Sequence, residues 1–293
     1  ILKLMMPVIL GSSVAQINIL FDTLIASFLA AGSISWLYYS DRLMEFPLGV
    51  LGIALATVIL PTLSAQHAKA SKEEFSATLD WALRLVLICA LPASLGLVVL
   101  AEPLLATIFY GGEFTALDVS MATASLIAYG LGLLGFILVK VLTPGYFSRQ
   151  DTRTPVRIGI YSLVLNMILN VFFVLGLMRG GFYAPHAGLA LATTLSSLFN
   201  AVLLYKGLVV EGIFRPRPGW GKLMGQVLVA CIAMVVSVYI LQREVGNWLQ
   251  LPFFERVGSL IFCVSIGIGI YLGVCFILGL RIRHIRQTSS LEL

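Results

Sequence analysis

SWLYYSDRLMEFPLGVLGIALATVILP, residues 35–61, is long and apolar enough to cross a bilayer, yet it carries Asp41, Arg42 and Glu45 inside the crossing. At the helical turn angle these three fall within an arc of roughly 100°. Ionised groups at membrane depth are costly unless they pair or face a wet cavity. The span therefore presents one charged face to a protein interior or a water-filled path and apolar residues elsewhere. Pro47 follows the charges and leaves the carbonyl of Leu43 without its helical partner, which predicts a kink there. Gly49 and Gly52 then allow a neighbouring helix to come close. A charged, kinked, glycine-lined span reads as a moving part of a transport path.

Composition agrees. Hydrophobic residues make up 59% of the 293 residues and charged ones only 11%, and the mean hydropathy is +0.99. A soluble domain carries about twice that charge, so the sequence predicts an all-α polytopic membrane protein. The net charge of +5 is spread over short loops between apolar runs, which argues against nucleic acid as a partner. Cys89, Cys231, Cys263 and Cys275 all lie within apolar runs, without metal-ligand spacing, and read as small packing residues. The chain begins at Ile1, almost at once in an apolar run, which suggests the C-terminal part of something longer.

At about 20 apolar residues per crossing, eight transmembrane helices are expected, over 4–30, 36–61, 80–107, 116–142, 156–178, 184–206, 222–241 and 255–280. The stretch 64–79 has the charge and spacing of a helix lying on the membrane surface. The Gly- and Pro-rich stretch 207–221 marks the best boundary in the chain. Alternate links collect Lys3, Lys69, Lys72, Arg84, Lys140, Arg149, Arg153, Arg157, Lys206, Arg215, Arg217, Lys222, Arg281, Arg283 and Arg286 on one side. Only Arg179, Arg243 and Arg256 fall on the other. The positive-inside rule then puts both termini in the cytoplasm.

Depth makes a second constellation legible. Asp22 lies about eight residues, roughly 12 Å, from the outer end of the first span. Asn166 and Asn170 share one face of the fifth span, and Thr193 and Thr194 lie about ten residues into the sixth. Asp22, Asn166, Asn170 and Thr194 are thus expected to meet at one level in the outer half of the bilayer. Carboxylate, amide and hydroxyl oxygens are hard ligands suited to Na⁺ or to a proton-coupled carboxylate. The plainer reading is interhelical hydrogen bonding, worth about 0.6 kcal/mol on average, and both stay open. For Asp41, Arg42 and Glu45 the plainer reading is a structural ion pair, which is poor value for stability alone.

Other polar residues carry less. Glu102 precedes Pro103 near an outer span end and reads as interfacial. His67, His186 and His284 lie far apart in loops or at span ends, with no metal or triad spacing. Lys140 sits near the cytoplasmic end of its span, where it can snorkel. The Arg281–Arg283–Arg286 run reads as a basic anchor. A phosphate-binding loop of ATPase type is missing from the sequence.

Three stretches resemble one family. YYSDRLMEFPLGVLGIALATVILPTLS (38–64) resembles the eighth-helix signature of the MurJ (MviN) lipid II flippases of the MOP transporter superfamily. GYFSRQDTRTPVRIG (145–159) is similar to the loop before that family's eleventh helix, and RPRPGW (215–220) to its link to the last two helices. The resemblance implies helices seven to fourteen of fourteen: a six-helix lobe over 1–206, a cytoplasmic linker over 207–221, and two extra helices with a basic tail over 222–293. The first lobe would then be a missing partner.

The resemblance also implies a mechanism. Lipid II, an undecaprenyl pyrophosphate bearing the peptidoglycan disaccharide-pentapeptide, moves from the inner to the outer leaflet of the bacterial cytoplasmic membrane by alternating access. Arg42 is then the phosphate contact of this lobe, because arginine offers bidentate geometry. Asp41 and Glu45 hold and release it or bind head-group hydroxyls and amines. Glycines 258, 267, 269 and 273 suit the extra helices to a groove for the polyprenyl tail. Some members are thought to hold Na⁺ at places matching Asp22, Asn166, Asn170 and Thr194. Asn170 stands where such members have a second acid, so Na⁺, H⁺ and membrane potential all remain as driving forces. No organic cofactor and no catalytic residue is implied. Cell-wall synthesis proteins are further partners to consider. Competing readings are an O-antigen lipid flippase or a drug exporter on the same architecture, and, from another class, an intramembrane polyprenyl-phosphate transferase.

Overall fold

The computed structural model describes residues 16–280, and within them the chain is helical from end to end of every apolar run. Helix α1 covers 16–27, α2 Ser33–Pro47, α3 Ala54–Ala68, α4 Lys72–Val99, α5 Ala101–Ile108, α6 Ala116–Phe147, α7 Arg153–Arg179, α8 Ala187–Val210, α9 Trp220–Val245 and α10 Phe253–Ile277. Among the described residues seven helices are long and apolar enough to cross a membrane, with Ser33–Ala68 as one continuous span. The expected first span is described only from residue 16. Lys3, Arg281, Arg283, His284 and Arg286 lie outside the described residues.

The kink expected at Pro47 takes the form of a wide turn. Between α2 and α3 the segment Leu48–Ile53 is a π-helix, which absorbs the missing proline amide by placing one extra residue in the turn. A second proline acts similarly on the third span. Pro103 cannot donate to the carbonyl four residues back, so α4 ends at Val99 and α5 restarts, with the Leu104 amide bonding the Leu100 carbonyl at 2.9 Å.

One expectation fails here. No separate surface helix covers 64–79; α3 runs on to Ala68, Ala70 takes a left-handed turn (φ 56°), and α4 starts at Lys72. The 36-residue helix Ser33–Ala68 is about 54 Å long against a hydrocarbon core of about 30 Å. The charges at 67–74 therefore sit on helix ends that project past the membrane. Gln66 Nε2 donates to Thr78 Oγ1 at 2.8 Å and closes that turn.

Helix α6 is the centre of the bundle, touching α2, α3, α4, α5 and α8, while α7 packs mainly on α8. Thr115 and Asp118 start α6 with a reciprocal capping box. Gly132 allows its crossing with α8: a Cβ there would overlap Thr194 Oγ1 and lie 2.9 Å from Phe136 Cε2. Lower down, Tyr146 donates to the Leu204 carbonyl at 2.7 Å.

Helices α9 and α10 pack on each other and against α4 and α5. Three polar pins hold them. Buried Asp80 accepts from Arg84 Nε (2.7 Å), the Arg217 amide (3.1 Å) and Trp220 Nε1 (2.8 Å). Tyr271 donates to the Ile88 carbonyl at 2.6 Å, and buried Arg256 donates to the Ala106 carbonyl at 2.6 Å. Of the four glycines singled out on α10, Gly267 is the one packed against α9, where a Cβ would lie 2.9 Å from Val238 Cγ2; Gly258, Gly269 and Gly273 border open space.

Candidate functional site

Asp41 and Glu45 stand on one face of α2 and line a cavity of about 690 Å³ among α1, α2, the π-turn, α6, α7 and α8. Arg42 sits beside them, its Nη1 2.6 Å from Glu45 Oε2 and its Nη2 3.8 Å from Asp41 Oδ2. Its guanidinium also lies over the Tyr38 ring, 5.0 Å from the centroid. All three carboxylate and guanidinium side chains keep 36–49% of their surface exposed. An ion pair that open adds at most about 1 kcal/mol to stability.

The second constellation forms on the same cavity. Asn170 Nδ2 donates to Asp22 Oδ1 at 2.6 Å and to Asn166 Oδ1 at 2.8 Å. Asn166 Nδ2 donates to Thr193 Oγ1 at 3.1 Å, and that hydroxyl lies 3.4 Å from Asp22 Oδ2. The spacing of Asn166 and Asn170, one turn apart, is what aligns their amides. Thr194 does not join. It faces α6 instead, buried, and donates to the Ala128 carbonyl at 2.6 Å. The two threonines are adjacent and so point about 100° apart, and it is Thr193 whose direction meets α1 and α7.

Sequence reasoning passed over two residues here. Asn18 lies one helical turn before Asp22, and its Nδ2 reaches Asp22 Oδ2 at 3.3 Å; the i, i+4 spacing was the available signal. Lys140, read above as a snorkelling lysine, lines the cavity instead. The chemistry of the cluster is that of an oxygen cage with one carboxylate. Asn18 Oδ1 and Asn170 Oδ1 are buried and lack a hydrogen-bond partner among the described residues, which is costly for polar atoms unless something else is bound. Among those residues there is no group of three or more His, Cys, Asp and Glu able to hold a metal ion.

The loop 148–152 proves structural. Asp151 Oδ1 accepts from the amides of Arg153 (3.1 Å) and Thr154 (3.0 Å), capping α7. Arg149 pairs with Glu211 at 2.7 Å. Partial burial acts to raise the Asp151 carboxyl, but the Thr154 amide and hydroxyl, the Arg149 charge and the Arg153 amide outweigh it and hold the group below its ordinary value.

The family model described as lipid II flippase MurJ matches residues 1–258. The chain belongs to the MurJ lipid II flippase family. Relatives named as probable MurJ flippases include one from Vibrio cholerae, 45% identical over 98% of this chain and 53% of its own length, and one from Haemophilus influenzae, 43% identical over 97% and 55%. The chain thus spans about half the length of the curated relatives it matches. A solved MurJ in an inward closed conformation superposes with a TM-score of 0.76 at 27% identity, over 94% of this chain and 53% of that one. An outward-facing MATE transporter of the MOP superfamily superposes with a TM-score of 0.62 at 16% identity, over 95% and 69%, a likeness of fold. MurJ membership makes this a multi-pass membrane protein of a transporter family.

Proposed function

We propose that the chain forms the second half of a transporter that moves lipid II from the inner to the outer leaflet of the bacterial inner membrane. The carrying observation is a cavity lined by Asp41 and Glu45, both paired with Arg42, in a chain of MurJ type. On this reading residues 1–206 are the C-terminal lobe, 207–221 a cytoplasmic linker and 222–293 the pair whose groove holds the polyprenyl tail, with both termini in the cytoplasm. Arg42 exchanges its carboxylate partners for a head-group phosphate, and Asp41 and Glu45 receive it when the substrate leaves. A half-exposed pair can exchange partners at small cost.

Sodium is the coupling ion that the cluster fits. Asp22, Asn18, Asn170 and Thr193 would supply its oxygens, and the two unpartnered amide oxygens support this reading. A single bound charge adds to the membrane potential as a driving force.

The test is Arg42→Ala and Arg42→Lys in a full-length chain carrying this sequence, scored by survival after depletion of the resident flippase, with membrane insertion checked. Loss with both substitutions supports bidentate head-group binding. Survival with Ala refutes the assignment of Arg42.

A further inference from the structure

We infer that residues 215–218 form a fixed contact strip for the phosphates of anionic phospholipids, at the edge of the bundle where α9 enters the membrane. The assignment needs only a chain that crosses a bilayer and is independent of the cargo. Arg215-Pro216-Arg217-Pro218 has little conformational choice. Each proline fixes its own φ and drives the arginine before it into an extended backbone. Helix α4 fastens that strand through Ser76, Asp80 and Arg84, which stand at i, i+4 and i+8 along one face. Ser76 Oγ accepts from the Arg215 amide at 2.9 Å and donates to the Arg215 carbonyl at 3.2 Å. Asp80 holds the Arg217 amide, and Arg84 Nη2 donates to the Arg217 and Pro218 carbonyls at 3.2 and 2.9 Å. The backbone is thus tied to α4 while the side chains of Arg215 and Arg217 are exposed, as is Lys222 in the first turn of α9.

None of these three cations forms an ion pair among the described residues. The nearby acids are engaged elsewhere: Asp80 by Arg84, the Arg217 amide and Trp220, and Glu211 by Arg149. Glu73 and Glu74 occupy the first turn of α4, where negative charge suits the helix end. The level of the strip selects a lipid over a soluble anion or an acidic protein. Helix α9 has 26 residues, about 39 Å against a hydrocarbon core of about 30 Å, so its start lies in the head-group layer. Trp220, its first residue, is half-buried and bonded to Asp80, and tryptophan favours that layer. Arginine meets a phosphate with a bidentate fork. A backbone already held in place gives up little freedom on binding, which separates a site from diffuse attraction to a charged surface.

The test counts lipids bound to a purified full-length chain carrying this sequence, in neutral detergent, by mass spectrometry of the intact complex. Phosphatidylglycerol and phosphatidylcholine with the same acyl chains are titrated separately. Losing two cations at an anionic surface predicts that Arg215→Gln with Arg217→Gln lowers the phosphatidylglycerol preference on the order of tenfold, with phosphatidylcholine unchanged. Arg153→Gln with Arg157→Gln removes the same charge from exposed positions at the start of α7 and should leave the preference nearly intact. Ser76→Ala keeps every charge but frees the strand, and should give an intermediate loss. An unchanged preference in the 215/217 pair, or equal losses from the two arginine pairs, overturns the inference. A Ser76→Ala chain that matches wild type rejects the fixed strip, and displacement of the lipid by inorganic phosphate at matched concentration makes it a soluble-anion site instead. Should the Gln pair not fold, Arg215→Lys with Arg217→Lys retains the charge and loses the fork, and must still lower the preference.

Discussion

Asn170→Asp tests the polar cluster through its electrostatics. Asn170 Nδ2 is 2.6 Å from Asp22 Oδ1, so a carboxylate at 170 faces a carboxylate at 22 with charge centres about 4 Å apart. At an effective dielectric of about 20 that repulsion is about 4 kcal/mol. The variant also loses the two hydrogen bonds that the amide donates to Asp22 and Asn166, each worth about 1 kcal/mol. Without a neutralising ion the protein should unfold on the order of 10 °C earlier. Adding sodium should recover most of that loss, because two carboxylates and the surrounding oxygens make a stronger cation site than one. The assay is thermal unfolding of the purified full-length chain in choline chloride, titrated with sodium chloride at constant ionic strength. A variant as stable as wild type in choline, or one whose loss sodium leaves untouched, would show that positions 22 and 170 do not share an ion site.

Asp80→Ala removes the acceptor for Arg84, the Arg217 amide and Trp220 at once, a loss of about 3 kcal/mol for a broken buried pair; limited proteolysis should cut 207–221 faster, and Asp80→Asn should fall between. Gly132→Val overpacks the α6–α8 crossing and displaces the Thr194 hydroxyl, with an expected cost of about 1–3 kcal/mol in denaturation measurements; a neutral result would mean that the helices do not cross there. Asp151→Ala removes the α7 cap and should cost about 1 kcal/mol. Because the Asp151 carboxyl is held below its ordinary value of 3.8, its contribution is complete above that pH and fades as the pH falls through the lowered folded value. The stability gap between wild type and Asp151→Ala should therefore close on acidification, and a pH-independent gap would contradict the capping role.

The fold was largely legible because a bilayer leaves the chain few options. Long apolar runs must be helices, and the 215–220 motif sits where Asp80 fastens the start of α9. What stayed hidden depends on helix rotation and on partners far away in sequence. Thr193 and Thr194 are neighbours, and only the crossing with α6 at Gly132 decides which one turns toward Asp22. Lys140 looked like an interfacial anchor because depth along one helix is readable from sequence while the π-turn that receives its stem is not. The surface helix at 64–79 was an error of the same kind: its charges belong to two spans that overshoot the membrane.

On the proposed function, the three pins on α9 and α10 govern the geometry of the substrate itself. Asp80 fastens one end of the pair, Tyr271 grips midway along α4, and Arg256 fastens the far end to α5. Sliding the pair along α4 and α5 would stretch all three together, so on the proposed function the pair travels with whatever swing the lobe makes. On the proposed function, the place that holds the lipid's tail and the cavity that holds its head group keep a constant separation throughout the cycle. The flexible joint is then in the cargo: the lipid turns at its pyrophosphate while both ends stay in the grip of a single body.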